Sequence, residues 1–515
     1  MDVKMRYAIL AAAVAASGTL MAELDFRKPE IVPIPVEMSY EANQPVRLAS
    51  PLRIEVSCPE TGSDAWVRDH VKAWFGCSLD VTQANVAGDG AKGDEGYTLS
   101  VRPDRIAIGA NTLRGVRYAV MTLRQAAERE SAGRTLKGYW LPALEVKDAP
   151  TLGFRGVHLC WFPELTATAI EHQIRLAAYY KYNYVVLESW GVFKGEKFPQ
   201  LALRDAPLTI REARRLCAIA NDLGLTLIPQ INIFGHASGA RSMGGKHVTL
   251  DFHPEMQPLF EPAGGWNWCL SNPDARATVR ELVAEMHEAF GNPPYFHIGC
   301  DEADLPSCPT CRAVKPYAKL VGDHIKDIAG LLRKRGARAM MWHDMLLAKD
   351  DPRWRDALGK TLFYAHGNAD EAKLAEELPR DIVICDWYYG SNYGRKTDPG
   401  SFPTLDHFKK LGYSTVTCPW DDIKAIGLQG EYARKTGLFG VLETVWHHFR
   451  GLHFGQMIEA GANAGWNGGA REAGAWSTPA PFVTHWRQTG WDMGITTFSE
   501  TGFYDTTVTR GALDR

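Results

Sequence analysis

The chain has 515 residues and a formal net charge of −3, with 45% hydrophobic and 23% charged residues. This length exceeds what one hydrophobic core normally supports, so we expect more than one domain. The composition is that of a globular protein and excludes a disordered or fibrous one. Because the charge is nearly balanced and no block of Lys and Arg occurs, we expect neither nucleic acid nor a membrane as a partner.

The N-terminal residues have the pattern of a secretory signal. Lys4 and Arg6 precede an apolar run over residues 7–16, and small residues lead to a cleavage site after Ala22. No later stretch reaches the roughly 18 to 20 apolar residues that a membrane helix needs. We therefore predict a signal peptide over residues 1–22 and a secreted or periplasmic protein, with an uncleaved anchor as the alternative.

Cysteines give little indication of a metal site. Cys308 and Cys311 form the one close pair, in Cys-Pro-Thr-Cys, and no second pair or nearby His pair completes a zinc site. We predict no metal, and interpret the pair as a loop disulfide or two free thiols. A thiol-redox or metal protein centred on this pair is a separate hypothesis, which a missing thioredoxin-like context disfavours. The cysteines that stand alone in apolar runs, and that we expect in the core, include Cys160, Cys217, Cys385 and Cys418.

Two regions differ in their hydrophobic pattern. Residues 31–148 alternate short β-like runs with turn signals and include a helical pattern over residues 112–129, which predicts a small N-terminal α/β domain. Asp148-Ala-Pro150 interrupts this pattern, and apolar strands separated by long helical segments follow. We predict a catalytic domain over residues 151–455 and a helical or irregular extension over residues 456–515.

Eight runs in the second region have the character of buried parallel strands, each followed by helix-like sequence. Eight such units predict an α/β fold of the (β/α)8 TIM barrel type. A ninth run, Leu362 to Ala365, competes with one of them, and a doubly wound sheet is the alternative fold. The eight runs cover residues 154–160, 182–188, 225–232, 295–302, 338–344, 381–388, 414–420 and 440–446.

Polar and aromatic residues gather where these runs end. The carboxyl ends of barrel strands meet at one mouth, so we expect the side chains there to form one site. Aromatic rings stack on the apolar faces of sugars, and carboxylates accept hydrogen bonds from hydroxyls, which together indicate sugar binding. The residues at the strand ends include Glu188, Trp190, Gln230, Asn232, Asp301, Glu302, Trp342, Asp344, Trp387, Tyr389, Trp420, Asp421, Glu443 and Trp446.

One segment resembles a family signature. Tyr295-Phe-His-Ile-Gly-Cys-Asp301-Glu302 is similar to the His-Ile-Gly-Gly-Asp-Glu motif of family 20 glycoside hydrolases, the β-N-acetylhexosaminidases, with Cys300 in place of the second glycine. Phe154-Arg155-Gly156 resembles the first barrel strand of the family, and Pro229 to His236 resembles a later one. Gly96 to Leu99 and Gly115 to Gln125 resemble its accessory domain. The resemblance covers residues 31 to 450.

This sequence also departs from the family pattern. Gln230 stands in place of the usual Glu and Phe234 in place of the usual Pro. Glu188-Ser-Trp190 replaces a longer polar run that contacts substrate in typical members. In these features the chain resembles the divergent, hexosaminidase D-like branch of the family.

The resemblance implies an exo-acting enzyme that releases terminal GlcNAc or GalNAc from glycans without a cofactor. In this family the acetamido group of the substrate acts as the nucleophile and forms an oxazolinium ion. Glu302 then corresponds to the proton donor and Asp301 to the group that stabilises the ion. Because two close carboxylates resist joint ionisation and a Trp-rich pocket disfavours charge, we expect Glu302 to stay protonated near neutral pH.

The resemblance also assigns roles to other residues around this pair. Arg155 grips sugar hydroxyls, and either Tyr389 or Tyr388 holds the acetamido carbonyl. His236 and His297 form hydrogen bonds within the site. The remaining substrate contacts fall on Glu188, Trp190, Trp342, Asp344, Trp387, Glu443 and Trp446.

Two alternatives remain at this point. The first is a retaining glycosidase in which Glu188 or Glu443 is the nucleophile, because carboxylate separation cannot be read from a sequence. The second is a sugar-binding barrel without catalysis, which the intact Asp301-Glu302 pair argues against.

Overall fold

A computed structural model gives the fold, which divides into two compact units between Pro150 and Thr151. The predicted signal segment, residues 1–22, lies outside the described residues. Among the described helices, none is long and apolar enough to cross a membrane. The structure describes residues 28–48, 51–132, 135–238, 246–247, 249–262, 264–354, 364–389, 402–448, 451–469 and 480–495.

The N-terminal unit is a seven-stranded mixed sheet with two helices among its described residues. Its strands run in the order β1-β7-β4-β5-β2-β3, with β6 paired to β7. Alternating burial along β2 and β4 shows one face of the sheet turned to the core. Its elements are β1 Glu37–Arg47, β2 Leu52–Ser57, α1 Ser63–Phe75, β3 Leu79–Ala84, β4 Tyr97–Val101, β5 Ile106–Ala110, α2 Leu113–Ala126, β6 Glu128–Ala132 and β7 Thr135–Asp148.

The second unit is a closed barrel of eight parallel strands. All eight predicted runs form barrel strands, which confirms the (β/α)8 fold. Residues 364 and 365 of the ninth run are not in a strand, and residues 362 and 363 lie outside the described residues. The barrel strands are β8 Phe154–Trp161, β9 Tyr184–Ser189, β12 Thr226–Gln230, β13 Tyr295–His297, β14 Arg338–Trp342, β15 Val383–Asp386, β16 Ser414–Thr417 and β17 Gly440–Thr444.

Helices follow the strands and surround the barrel. Several begin at a side-chain cap, as Thr166, Thr209 and Asp422 do for α3, α4 and α11. A short parallel pair, β10 Phe193–Lys194 and β11 Leu208–Thr209, lies outside the barrel. The helices are α3 Ala167–Tyr179, α4 Ile210–Asp222, α5 Thr249–Phe252, α6 Pro273–Ala289, α7 Pro309–Ala313, α8 Ala318–Lys334, α9 Ala369–Glu377, α10 Pro403–Lys410, α11 Ile423–Thr436, α12 Gly451–Asn467 and α13 Ala480–Trp491.

The C-terminal helices belong to the barrel unit. Helix α12 packs on β17 and β8, and α13 packs on α3 and α12. The predicted boundary at residue 455 therefore falls inside α12, the helix that follows the eighth strand. Residues 470–479 and 496–515 of the predicted extension lie outside the described residues.

Aromatic packing closes the amino end of the barrel and leaves the carboxyl end for polar groups. The Phe154 ring stacks on Tyr184 with a centroid separation of 4.6 Å, and Tyr295 and Phe439 pack against it at 5.9 and 5.7 Å. Six of the eight barrel strands end earlier than the predicted runs, and β13 stops at His297, whereas β8 and β9 end one residue later. The polar residues after each strand are therefore on loops at the mouth.

Candidate active site

The two adjacent carboxylates follow β13 at a point where the backbone leaves the extended conformation. Gly299, Cys300 and Glu302 have φ angles of 66°, 76° and 48°. A Cβ atom at position 299 would lie 1.9 Å from Asn232 Oδ1, so only glycine fits there. Successive side chains on a strand point to opposite faces. The turn is therefore what brings Asp301 and Glu302 to the same mouth.

Asp301 is the buried member of the pair, with 4% of its surface exposed. Asn232 Nδ2 donates a hydrogen bond to Asp301 Oδ1 at 2.5 Å. The other oxygen, Oδ2, lies 3.5 Å from His236 Nε2 and 3.8 Å from Lys246 Nζ. An amide thus orients one oxygen, and an ammonium group faces the other.

Glu302 is the accessible member, with 38% of its side chain exposed. His236 Nε2 donates to Glu302 Oε2 at 3.2 Å. This hydrogen bond, against the opposing effect of burial, lowers the pKa of Glu302. The expectation that Glu302 stays protonated near neutral pH is therefore wrong for the substrate-free protein, because the bond to His236 outweighs desolvation.

Asp344 holds the turn rather than facing the pocket. Its side chain is fully buried, and Oδ2 accepts from the Glu302 backbone N–H at 2.8 Å and from His366 Nδ1 at 3.0 Å. Trp387 Nε1 donates to Oδ1 at 3.2 Å. Burial raises the pKa of Asp344. Its predicted contact with ring hydroxyls is corrected, because both oxygens are taken by protein donors.

A wall of aromatic side chains borders the two carboxylates. Trp342 is fully buried, 4.3 Å from His297 and 5.7 Å from Trp446 between ring centroids. Trp446 Nε1 donates to the Tyr389 hydroxyl at 2.6 Å, and the Trp387 ring lies 5.2 Å from that of Tyr389. The three predicted tryptophans therefore form one continuous surface with Tyr389.

The structure separates the two candidate tyrosines. Tyr389 belongs to the aromatic wall, whereas the Tyr388 ring packs 4.6 Å from Tyr364 and 5.5 Å from Phe402. Only one of the two rings therefore belongs to the aromatic wall that borders the carboxylates. That residue is Tyr389.

A buried ion pair, which the sequence analysis missed, lies beside Asp301. Lys246 Nζ is 2.6 Å from Glu188 Oε1 and 3.2 Å from Asn232 Oδ1. Both charged side chains are at most 1% exposed. Burial raises the pKa of Glu188, but the charge and hydrogen bond of Lys246 together with His158 outweigh it, and the pKa lies well below its usual value. Lys246 follows no strand and fits no repeating pattern, so no sequence signal could have revealed it.

The predicted contact of Glu188 with substrate is also corrected. The carboxylate is fully buried, and its oxygens accept hydrogen bonds from Lys246, Gln230, Trp190 and Cys160. No oxygen is left at the surface to reach a sugar or to act as a nucleophile. The partly exposed Trp190 covers the pair, with its ring 4.9 Å from Lys246 Nζ.

The sequence matches the model of the glycosyl hydrolase family 20 catalytic domain over residues 166–446. The model of domain 2 of the same family matches residues 28–149. The catalytic match alone covers more than half of the chain. The chain belongs to glycosyl hydrolase family 20.

Individual relatives agree with this family. The chain is 26% identical over 317 residues to a β-N-acetylhexosaminidase from Cellulomonas fimi, a match covering 58% of each chain. It is 25% identical over 290 residues to a β-hexosaminidase from Porphyromonas gingivalis, covering 49% of this chain and 36% of that one. The matches thus span less than two thirds of either relative.

A solved structure shares the fold of this family 20 chain. The crystal structure of a β-N-acetylhexosaminidase from Bacteroides fragilis superposes with a TM-score of 0.65 at 18% identity. The superposition covers 93% of this chain and 97% of that one.

Arg155 of this family 20 chain lies away from the mouth. It is the second residue of β8, and its side chain is 1% exposed. Nη1 donates to the Leu152 carbonyl at 2.8 Å and Nε to the Lys181 carbonyl at 3.4 Å, while the guanidinium packs over Trp466. The prediction that Arg155 grips sugar hydroxyls is wrong in this structure, because these contacts hold it at the amino end of the strand.

Glu443 likewise points away from the mouth. A Cβ atom on Gly461 of α12 would lie 2.5 Å from Glu443 Cβ, so the side chain faces the helix layer. Glu443 is fully buried, and its oxygens have no hydrogen-bond partner among the described residues. Burial raises its pKa well above the usual value. The predicted contact with substrate is corrected, and a buried side chain that faces the helix layer cannot serve as the alternative nucleophile.

The two predicted histidines do lie within the site. His236 contacts both catalytic candidates, as described above. His297 is buried beneath Trp342, and its Nδ1 accepts from the Gly299 N–H at 3.1 Å. Burial lowers the pKa of His297 well below its usual value, so the ring is neutral. Both histidines therefore form hydrogen bonds with neighbouring groups of the site, and their contact with substrate stays a prediction.

Asp421, His448 and His453 form a second polar cluster at the mouth, the Asp421 group, which the sequence predicted only in part. Asp421 follows β16 and accepts a hydrogen bond from His453, which lowers its pKa. His448 Nε2 lies 4.0 Å away, and the three ligand atoms are close enough together to bind a metal ion. Trp420 links this group to the wall, 5.2 Å from Tyr389. The strand-end pattern marked Trp420 and Asp421, but the two histidines come from a later segment.

Replacing Lys246 with Met should strongly destabilise the barrel, because it leaves Glu188 charged, buried and unpaired. We expect a loss of about 3–5 kcal/mol in the free energy of unfolding, measured by urea titration. The double variant Lys246→Met, Glu188→Gln should recover most of this loss. Lys373→Met, which removes an exposed lysine, is the control and should shift the midpoint little. Equal effects of Lys246→Met and the control would mean that the pair is not coupled.

Proposed function

We propose that the chain hydrolyses terminal β-linked N-acetylhexosamine, GlcNAc or GalNAc, from glycans by substrate-assisted catalysis with retention of configuration. The observation that carries the proposal is the pairing of a buried, oriented Asp301 with an accessible Glu302, both within 3.5 Å of His236. The names of the Cellulomonas fimi and Porphyromonas gingivalis relatives support the same substrate class.

The burial of the other carboxylates favours an internal nucleophile. A protein nucleophile must reach the anomeric carbon from the face opposite the acid. In retaining enzymes the nucleophilic carboxyl group lies about 5–5.5 Å from the carboxyl group of the acid. Glu188, Asp344 and Glu443 are fully buried, and protein donors bond to both oxygens of the first two. The acetamido oxygen of the substrate supplies the nucleophile that none of these three side chains can provide.

In the first step, the acetamido oxygen bonds to the anomeric carbon as the glycosidic bond breaks. Glu302 gives its proton to the leaving oxygen, so the aglycone departs as a neutral alcohol. The positive charge that develops on the oxazolinium ring is stabilised by the Asp301 carboxylate, which Asn232 and Lys246 hold in place. In the second step, water attacks the same carbon as the bond to the acetamido oxygen breaks, and Glu302 takes a proton from this water, which restores both the acid and the acetamido group.

His236 influences the pKa of Glu302 and therefore the pH at which Glu302 carries this proton. In the substrate-free protein its bond to Glu302 favours the carboxylate. A bound sugar excludes water from this mouth, and desolvation favours the neutral acid. The proton on Glu302 is therefore taken up most readily at mildly acidic pH.

The aromatic wall is suited to hold the N-acetyl group. Trp387 and Trp446 offer apolar faces to its methyl group, and the fully buried Trp342 packs behind Trp446. The bond from Trp446 Nε1 positions the Tyr389 hydroxyl, and we assign to Tyr389 the hydrogen bond to the acetamido carbonyl. Trp190 and the Asp421 group are left to contact the hydroxyls of the sugar.

The function is tested with a panel of aryl glycosides. We expect release of the aglycone from aryl N-acetyl-β-glucosaminides or galactosaminides, but not from plain β-glucosides or β-galactosides, which lack the internal nucleophile. The thiazoline analogue of N-acetylglucosamine should inhibit competitively, because it mimics the cyclic intermediate. Equal rates on acetamido and plain sugars, without inhibition by the thiazoline, would contradict the proposal.

The two carboxylates should respond differently to the leaving group. Glu302→Gln removes the proton donor, so kcat/KM should fall about 10²- to 10⁴-fold, and less for aglycones of low pKa that need little protonation. Asp301→Asn should lower kcat/KM to a similar extent for all leaving groups, because charge stabilisation is lost in every case. The measurement is kcat/KM over aryl N-acetyl-β-hexosaminides of graded acidity. If Glu302→Gln lowers kcat/KM equally for all leaving groups, the assignment of Glu302 as the proton donor is contradicted.

The bond from His236 should set the alkaline side of the pH profile. An acid acts only when protonated, so kcat/KM falls as pH rises through the pKa of Glu302. His236→Ala removes the group that lowers this pKa, so the descending limb should move to higher pH, whatever the loss in rate. His253→Ala, on an exposed histidine, is the control and should leave the limb in place. An unmoved or lower limb in His236→Ala would exclude this role.

A further inference from the structure

We propose that Glu261, Cys269, Cys308 and Cys311 form a binding site for one Zn²⁺ ion, separate from the catalytic carboxylates. One potential ligand atom from each residue lies within 4.8 Å of the other three. Three sulfurs and one carboxylate oxygen are donors that zinc accepts in four-coordinate structural sites. The proposal goes beyond the glycosidase function and does not depend on it.

The sulfur geometry matches a shared tetrahedral ion. Cys269 Sγ and Cys311 Sγ are 3.8 Å apart. Two sulfurs bound to one zinc at about 2.3 Å with a tetrahedral angle are separated by about 3.8 Å. A disulfide requires about 2.05 Å. All three cysteines are unpaired in the structure.

Glu261 provides the independent indication of a cation. It is 3% exposed, and Oε2 accepts from the backbone N–H groups of Ser307 and Cys308 at 2.8 and 2.5 Å. The other oxygen, Oε1, is buried without a hydrogen-bond partner among the described residues. An unpaired carboxylate oxygen is costly to bury, and a cation held by the three sulfurs would satisfy it.

Neighbouring polar groups are arranged to support thiolates. The Ser271 backbone N–H donates to Cys311 Sγ at 3.4 Å. The Ser271 hydroxyl lies 3.1 Å from Cys311, 3.5 Å from Cys269 and 3.9 Å from Cys308 sulfur. Hydrogen bonds to ligand atoms from outside the first coordination sphere commonly orient them in metal sites.

Local structure explains how residues so far apart in sequence meet. An isolated antiparallel bridge between Phe260 and Trp268 places Glu261 and Cys269 side by side on the two arms of a short hairpin, the 259–269 hairpin. The Cys-Pro-Thr-Cys turn begins α7, with Cys308 at its N-cap, and presents the other two sulfurs. The zinc-ligand pattern is therefore split between two segments about 40 residues apart.

The site lies at the end of the loop that begins with Glu302. The same hairpin also contacts the first residues of this loop. Trp266 Nε1 donates a hydrogen bond to the Glu302 carbonyl at 2.8 Å. Asn267 exchanges two hydrogen bonds with the backbone of Asp304 at 2.7 and 3.2 Å. A zinc ion would join the hairpin to the loop at Cys308 and so restrict the segment that carries the proton donor.

The test measures metal content rather than activity. The full chain is purified under reducing conditions, supplied with Zn²⁺ and dialysed, and its zinc is counted by plasma mass spectrometry. We expect about one zinc per chain. Replacement by Co²⁺ should give the intense near-ultraviolet absorption of cobalt bound to thiolates and the visible bands of a tetrahedral site.

Variants identify the ligands. Cys308→Ser and Cys269→Ser should lower the bound metal to below about 0.1 per chain and abolish the cobalt spectrum. Cys217→Ser is the matched control, because that buried thiol bonds to the Phe290 carbonyl elsewhere in the barrel, and it should keep the full metal content. Glu261→Gln keeps the size of the side chain and should weaken zinc binding against a chelator.

Three results would overturn the proposal. One is a wild-type chain with reduced thiols that retains no zinc and gives no cobalt spectrum. Another is a disulfide among Cys269, Cys308 and Cys311, found by mass spectrometry of the purified chain. The third is a cobalt spectrum unchanged in Cys308→Ser. If the cysteine variants do not fold, the wild-type spectrum and Glu261→Gln still decide the question.

Discussion

Two adjacent carboxylates can act on one substrate only if the backbone between them leaves the extended form, and the turn after β13 meets this constraint. Cys300 and Glu302 adopt left-handed conformations that cost about 1–3 kcal/mol each for residues with a side chain. Bonds from surrounding groups offset this strain, among them those of Asp344 and Trp266 to the backbone of Glu302. Other non-glycine residues with positive φ at the mouth are His236, Asp421 and Trp446. Backbone strain is thus concentrated where the site is built.

Charge is balanced around the turn through pairs of buried groups. Lys246 lies between Glu188 and Asp301, so its ammonium group balances the charge of two carboxylates. Glu188 is fully buried, whereas Asp301 faces the pocket. Asp344 is paired with His366, and Glu302 with His236. In a water-poor mouth such fixed partners stabilise developing charge without first having to reorient. Glu443 has no such partner among the residues that the structure describes, and burial raises its pKa well above the usual value.

The loop after Glu302 connects this chemistry to the proposed zinc site. Its start is held by Asp344, its middle by Asn267, and its end by Glu261. Two of these three partners belong to the 259–269 hairpin, so the position of the proton donor depends on a segment that contributes no catalytic group. A loop tied at several points loses little further freedom when substrate binds, which is how a rigid site keeps its geometry.

The sequence by itself determined the barrel, the Asp301-Glu302 pair and the aromatic residues at the strand ends. A buried strand appears in the sequence as a short continuous apolar run, so the barrel strands could be predicted. The motif at the end of β13 consists of consecutive residues, so it could be recognised without knowledge of the fold. Only the tertiary structure decided which way Arg155 and Glu443 point, because a barrel strand buried on both faces has no alternating pattern to show its inner side. It alone chose Tyr389 over Tyr388, and brought Lys246 to Glu188 and Cys269 to Cys311. Such contacts join residues far apart in the chain, and the three-dimensional packing that creates them leaves no local trace in the sequence.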